Sequence, residues 1–168
     1  IDVTTPSTPV SISLYSGDYE FISGMGDYVY LSRNSTFSVL DVSDSSSVQY
    51  VSGFDFPGFV NDVSVSGSYA YTGSNGFRVL DISDSTHPLE VGFADIDGSL
   101  VEAAGNSLVL YCPYSMTANN TVYTLDISDP ANPVSLDSYA SPVMTWDLVV
   151  RDNLAFVACW WDGVRILN

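Results

Sequence analysis

From Val60 to Ser66 the chain reads Val-Asn-Asp-Val-Ser-Val-Ser, a period-two pattern that predicts a strand with two distinct faces. Gly67-Ser68 then turns the chain into a second strand, Tyr69–Thr72. Ser74-Asn75-Gly76 follows, and Asn-Gly suits a two-residue hairpin because both residues accept positive φ. Phe77–Ile82 reads as a third strand, Ser83–Pro88 as a turn and Leu89–Gly92 as a fourth strand. No stretch carries helical periodicity, so the pattern is that of a four-stranded antiparallel unit.

The unit recurs. Leu80-Asp81-Ile82-Ser83-Asp84 is matched by Leu40-Asp41-Val42-Ser43-Asp44 and by Leu125-Asp126-Ile127-Ser128-Asp129-Pro130. A looser copy opens the chain at Ile1, and another begins at Leu167, so the starts fall at residues 1, 40, 80, 125 and 167. A period near forty residues built from strands predicts propeller blades. The second strands align as Gly26-Asp27-Tyr28-Val29-Tyr30, Gly67-Ser68-Tyr69-Ala70-Tyr71, Asn106-Ser107-Leu108-Val109-Leu110 and Asp152-Asn153-Leu154-Ala155-Phe156. In this alignment repeat three lacks the glycine before its second strand. Asp162-Gly163 reads as a second type I′ hairpin, and the longer Pro113–Thr121 loop accounts for the wider third spacing. The expectation is one all-β domain over residues 1–168, with repeats at about 1–39, 40–79, 80–124 and 125–166. It is a β-propeller of four-stranded antiparallel blades.

The stretch Val63-Ser64-Val65-Ser66-Gly67-Ser68-Tyr69-Ala70-Tyr71, the strand from Gly76 to Asp84 and then Pro88 resemble the LVIVD repeat family of β-propellers. The resemblance covers the whole chain and is most specific in repeats two and four, whereas repeat one has Thr4 and Thr5 where the motif has aspartate. It implies a surface or secreted protein of bacteria or archaea with a binding or scaffolding role and no established catalysis.

The ends of the pattern are complementary. Residues 163–168 read as a third strand without a fourth, and Thr8–Leu14 as a fourth strand without the preceding three. Pairing them within the chain, the expected arrangement, closes a ring of four blades. Pairing them between chains gives an eight-bladed dimer or a filament by strand addition.

Charge narrows the partners. The chain has no lysine, and Arg33, Arg78, Arg151 and Arg165 face seventeen Asp and three Glu, for a net charge of −16. That field repels nucleic acid and anionic membranes, and cations, cationic partners or none fit it better; the expected partner of the module is a protein or glycan. No apolar run approaches the roughly 20 residues that insert across a bilayer. With only 14% charged residues, the solvent face is rich in hydroxyls and amides, as in extracellular proteins; a halophilic source is the competing explanation. The chain begins at Ile1, consistent with a removed leader or with a fragment. Asn34-Ser35-Thr36 and Asn119-Asn120-Thr121 are glycosylation sequons in hairpin loops.

Candidate chemistry is sparse. Trp146, Trp160 and Trp161 form an aromatic platform beside the last hairpin; as strand neighbours, Trp160 and Trp161 are expected on opposite faces, one packed and one exposed. Glu20, Asp62, Glu102 and Asp147 fall near the starts of the innermost strands, where four carboxylates can meet a cation on the axis. Glu20 and Glu102 sit one position off the column shared by Asp62 and Asp147, which favours simple solvation. The motif aspartates Asp41, Asp44, Asp81, Asp84, Asp126 and Asp129 invite Ca2+, but their place at strand-to-turn junctions favours backbone capping. His87, the only histidine, sits in a turn before Pro88. With no lysine and no glycine-rich phosphate loop, the chain reads as non-enzymatic, paired-carboxylate hydrolysis being the remaining catalytic alternative. Cys112 and Cys159 are expected on opposite faces of neighbouring blades, either as a disulfide staple or as two buried thiols.

Overall fold

The computed structural model describes residues 10–74, 76–112 and 120–168, and among these there is no α-helix. Blade one consists of β1 (Phe21–Met25), β2 (Tyr28–Arg33), β3 (Thr36–Asp41) and β4 (Gln49–Asp55). Blade two consists of β5 (Val60–Ser66), β6 (Tyr69–Ser74), β7 (Phe77–Asp81) and β8 (Leu89–Ala94). Blade three has β9 (Leu100–Ala104), β10 (Ser107–Cys112), β11 (Asn120–Asp126) and β12 (Val134–Ser141). Blade four has three strands, β13 (Thr145–Arg151), β14 (Leu154–Cys159) and β15 (Gly163–Leu167). Each sheet is a simple antiparallel meander in chain order. The innermost strands stand side by side around the axis, β1 beside β5, β5 beside β9 and β9 beside β13.

The alternation seen in the sequence becomes two packing faces per blade. Tyr30, Phe37 and Val39 of blade one pack against Val63, Ala70, Leu80 and Ile82 of blade two. Tyr71, Phe77 and Val79, on the other face of blade two, pack against Val101, Leu125 and Ile127 of blade three. Val122 of blade three then meets Leu148, Ala155 and Val157 of blade four. Every blade therefore has a face toward its predecessor and a face toward its successor. Most of the apolar burial lies between sheets rather than within one, which is why such repeats hold together only as an array.

Outer strands are fitted by small residues. Ser52 Oγ of β4 donates to Ser85 O in the turn of blade two, 2.5 Å away. At the matching place in β8 is Gly92, where a Cβ would lie 2.0 Å from Pro130 O of blade three.

The register corrects the alignment of repeat three. Ser107 pairs with Asp126 as Tyr69 pairs with Asp81, so the second strand begins at Ser107 and the turn before it is Gly105-Asn106. Gly105 has φ +61, matching Gly26 and Gly67, so this repeat does keep its glycine. Leu-Val-Leu at 108–110 is apolar in either alignment; only the backbone requirement of the turn fixes the register.

Two consequences follow for residues singled out above. Cys112 and Cys159 are both the last residues of second strands and hold equivalent positions in the repeat, not positions one residue apart. The Cys159 thiol is free, buried and directed at Val157 O, 3.5 Å away; the Cys112 side chain lies outside the described residues. The last hairpin is not a type I′ turn. Cys159 pairs with Gly163 across a 3-10 turn formed by Trp160–Asp162, and Asp162 lacks the positive φ that a I′ turn demands.

At the termini, β15 reads as expected, whereas residues 11–14 are not in a strand and Val10 forms only an isolated bridge. Residues 8 and 9 of the expected N-terminal strand, and Asn75 of the second hairpin, lie outside the described residues. Among the described residues no strand joins the free edge of β15.

Candidate functional site

Trp146 is the second residue of β13, and Trp160 and Trp161 lie in the turn that joins β14 to β15. A turn rather than a strand at 160–161 removes the two-face alternation, so both rings are on the surface. Trp146, Trp160 and Trp161 are 62%, 53% and 73% exposed. They nevertheless pack on one another: Trp146 meets Trp160 edge-on at 6.0 Å and 85°, and Trp160 meets Trp161 at 4.5 Å and 43°. Arg165 pairs with Asp162 beneath the turn and also reaches Tyr139 Oη at 3.3 Å, which fixes the turn to blades three and four. The result is a supported aromatic cluster at one end of the array.

That end also carries the β2–β3 and β6–β7 hairpins. Asn34 of the first sequon is exposed there with φ +53, and its carbonyl accepts from Val60 N at 2.5 Å. Phe59, in the link from blade one to blade two, is 65% exposed. Asn119 and residues 113–118 of the long loop lie outside the described residues.

The axial carboxylates do not converge as four. With repeat three in its corrected register, Glu102 stands two positions past the Asp62 column, opposite Ser64, and shares that strand face. Asp62 Oδ1 accepts from Val63 N at 2.8 Å, and Oδ2 accepts across the blade boundary from Val101 N at 2.9 Å. Ser64 Oγ donates to Glu102 Oε2 at 3.3 Å and accepts from Ala103 N at 3.1 Å. Burial raises the Asp62 carboxyl to about 6 against these hydrogen bonds, with the charges of Glu102 and Asp147 adding to the rise. Burial likewise raises Glu102, with a smaller contribution from Asp147. Glu20 is on the neighbouring face, 3.8 Å from Arg33, which also pairs with Asp18. Among the described residues no three such side chains are arranged to hold a metal ion. Asp62 instead ties blade two to blade three.

The motif aspartates cap turns. Asp41, Asp81 and Asp126 accept from Ser43 N, Ser83 N and Ser128 N, each at 2.8 Å. Asp44, Asp84 and Asp129 accept from the backbone two residues on, at 2.9, 2.9 and 3.1 Å. Side-chain and then backbone hydrogen bonds from Ser43, Ser83 and Ser128 hold Asp41, Asp81 and Asp126 below the usual carboxylate range. These carboxylates are committed to local backbone, as their position in the repeat implies. His87 sits exposed in one such turn, with Nδ1 2.7 Å from Thr86 Oγ1 and 3.2 Å from Asp84 Oδ2.

Comparison with known proteins agrees with this architecture. No curated protein matches the chain. Among solved structures, the computationally designed Ika4 protein is similar at 15% identity and a TM-score of 0.69, over 95% of this chain and 98% of that one. The computationally designed Ika8 protein is similar at 13% identity and 0.67, over 90% of this chain and 46% of that one. The LVIVD repeat matches residues 16–55, 57–96, 107–141 and 143–167, one match to each blade. With four copies of that repeat folded as four successive propeller blades, the chain belongs to the LVIVD repeat family.

Proposed function

We propose that the chain is a non-catalytic, extracellular binding module that takes a protein or glycan on the tryptophan cluster of blade four. The observation that carries this reading is the mutual packing of three largely exposed indoles on a turn held by Arg165. Tryptophan rings offer large contact area at low conformational cost and dominate the energetics of many interfaces. Exposing three together keeps apolar surface in water, an arrangement typical of recognition sites. The acidic, lysine-free surface and the exposed sequon at Asn34 support an extracellular setting. No helix among the described residues is long and apolar enough to cross a membrane.

The test is a titration of intrinsic tryptophan emission with a panel of neutral oligosaccharides and, separately, a basic peptide. At least one probe is expected to shift the emission saturably, and Trp146→Ala with Trp161→Ala to weaken its binding by tenfold or more while the far-UV spectrum is unchanged. Saturable binding that survives both substitutions, or no response to any probe, overturns the reading.

A further inference from the structure

The repeat supplies an internal standard for every position, and blades one and four depart from it in a complementary way. Phe37 and Val39, and their counterparts Phe77 and Val79, are 0% exposed because the following blade covers them. The matching residues of blade four are Val164 and Ile166, by the pairing of Leu167 with Ala155 as Leu80 pairs with Ala70. They are 66% and 60% exposed. On inner strands, Val63, Val101 and Leu148 are buried against the preceding blade, yet their counterpart Ile22 in blade one is 70% exposed. The successor face of blade four and the predecessor face of blade one are therefore both open.

A second observation shows what belongs between them. Ser13 Oγ donates to Ser45 O at 2.6 Å, which repeats the bond from Ser52 Oγ to Ser85 O at 2.5 Å. Residues 10–14 thus rest on blade one in the place that β4 takes on blade two. Among the described residues blade four has three strands, and none stands beside β15. Leu14, Ile12 and Val10 are exposed, as are Val164 and Ile166.

We propose that a second copy of this chain closes the array: residues 10–14 of each copy complete blade four of the other, and two copies form a ring of eight blades. Head-to-tail interfaces generate a ring where the rotation closes. Two copies of the four described blades make eight, within the range of about four to eight at which propellers close. The new seams repeat the interfaces between blades one, two and three. Ser13 falls opposite Ile166, as Ser52 pairs with Val39 and Gly92 with Val79. Asp147, the counterpart of Asp62, faces the Ile22 N–H of the second copy as Asp62 faces Val101 N. This assembly is independent of what the tryptophan cluster binds.

Sedimentation equilibrium of the purified chain is expected to give twice the 18.1 kDa chain mass. Ser13→Cys and Ile166→Cys, introduced on separate chains, mixed and oxidised, are expected to give a covalent heterodimer, with peptide mapping placing the bond between the two introduced thiols. A monomer at micromolar concentration overturns the proposal. So does a double variant that links only within one chain, the signature of a self-closed four-blade ring, or single variants that form no mixed product.

Discussion

Gly92 shows how closely successive blades meet. It lies in β8, against the turn of blade three, where Ser13 and Ser52 hold the same place against earlier turns and use a hydroxyl to bond the carbonyl. At Gly92 the carbonyl of Pro130 is too close even for a methyl group, so backbone meets backbone. Gly92→Ala is expected to destabilise the fold by about 2 kcal/mol, the usual cost of forcing volume into a packed site. Urea denaturation followed by far-UV circular dichroism measures it. A change below about 0.5 kcal/mol, the range of ordinary surface substitutions, would show that the two blades part easily.

Between elements, Asp62 is a titratable group bonded across a blade boundary. Its carboxylate accepts from β5 and β9 at once, and burial keeps its proton on to about pH 6. A raised carboxyl pKa means that the folded chain binds a proton that the unfolded chain releases until near pH 4. Stability from this group therefore rises as pH falls from 7 through 6 and is complete near 4. Asp62→Asn removes the titration and keeps one acceptor. The stability of wild type relative to this variant is expected to increase between pH 7.5 and 5, by at most about 1.4 kcal/mol per pH unit. Denaturation midpoints of both proteins across that range test the sign. The turn aspartates Asp41, Asp81 and Asp126 work in the opposite direction, because hydrogen bonds lower their pKa. Their contribution is lost only as pH falls below the ordinary carboxylate range, so the two effects separate along the pH axis.

At the scale of the whole molecule, charge is the dominant departure from an ordinary domain. A net charge of −16 with four arginines and no lysine leaves most carboxylates without a cationic neighbour. Self-repulsion of this kind is screened over about 10 Å at 0.1 M salt and about 30 Å at 0.01 M. The thermal midpoint is expected to rise by several degrees from 10 mM to 300 mM NaCl, measured at pH 7.5 and fixed protein concentration. A midpoint that falls with salt would mean that local ion pairs such as Arg78–Glu90, at 2.7 Å, outweigh the repulsion. Fixed concentration matters because association also raises the midpoint of a dimer.

The strand starts of blade two, the repeat period and the capping role of the motif aspartates were all legible in the amino-acid order. Each is a local matter: alternation, turn chemistry and side chains bonding backbone two residues away. The registry of repeat three was not, because Leu-Val-Leu is apolar in either alignment and only a left-handed turn at Gly105 decides between them. That one-residue slip carried Glu102 and Cys112 with it, so their positions in the repeat became known only from the pairing. Trp160 and Trp161 were readable as a rim pair, but their common exposure depends on a 3-10 turn that strand alternation cannot express. The phase of the ends was read as a third strand without a fourth at residues 163–168 and a fourth strand without the preceding three at Thr8–Leu14. That Val164, Ile166 and Ile22 stand open is a property of the array, since their apolar counterparts Phe77, Val79 and Val63 in blade two are buried beside a neighbouring blade. Sequence sets the blade because its determinants lie within a few residues, whereas burial of a blade face depends on what stands beside it.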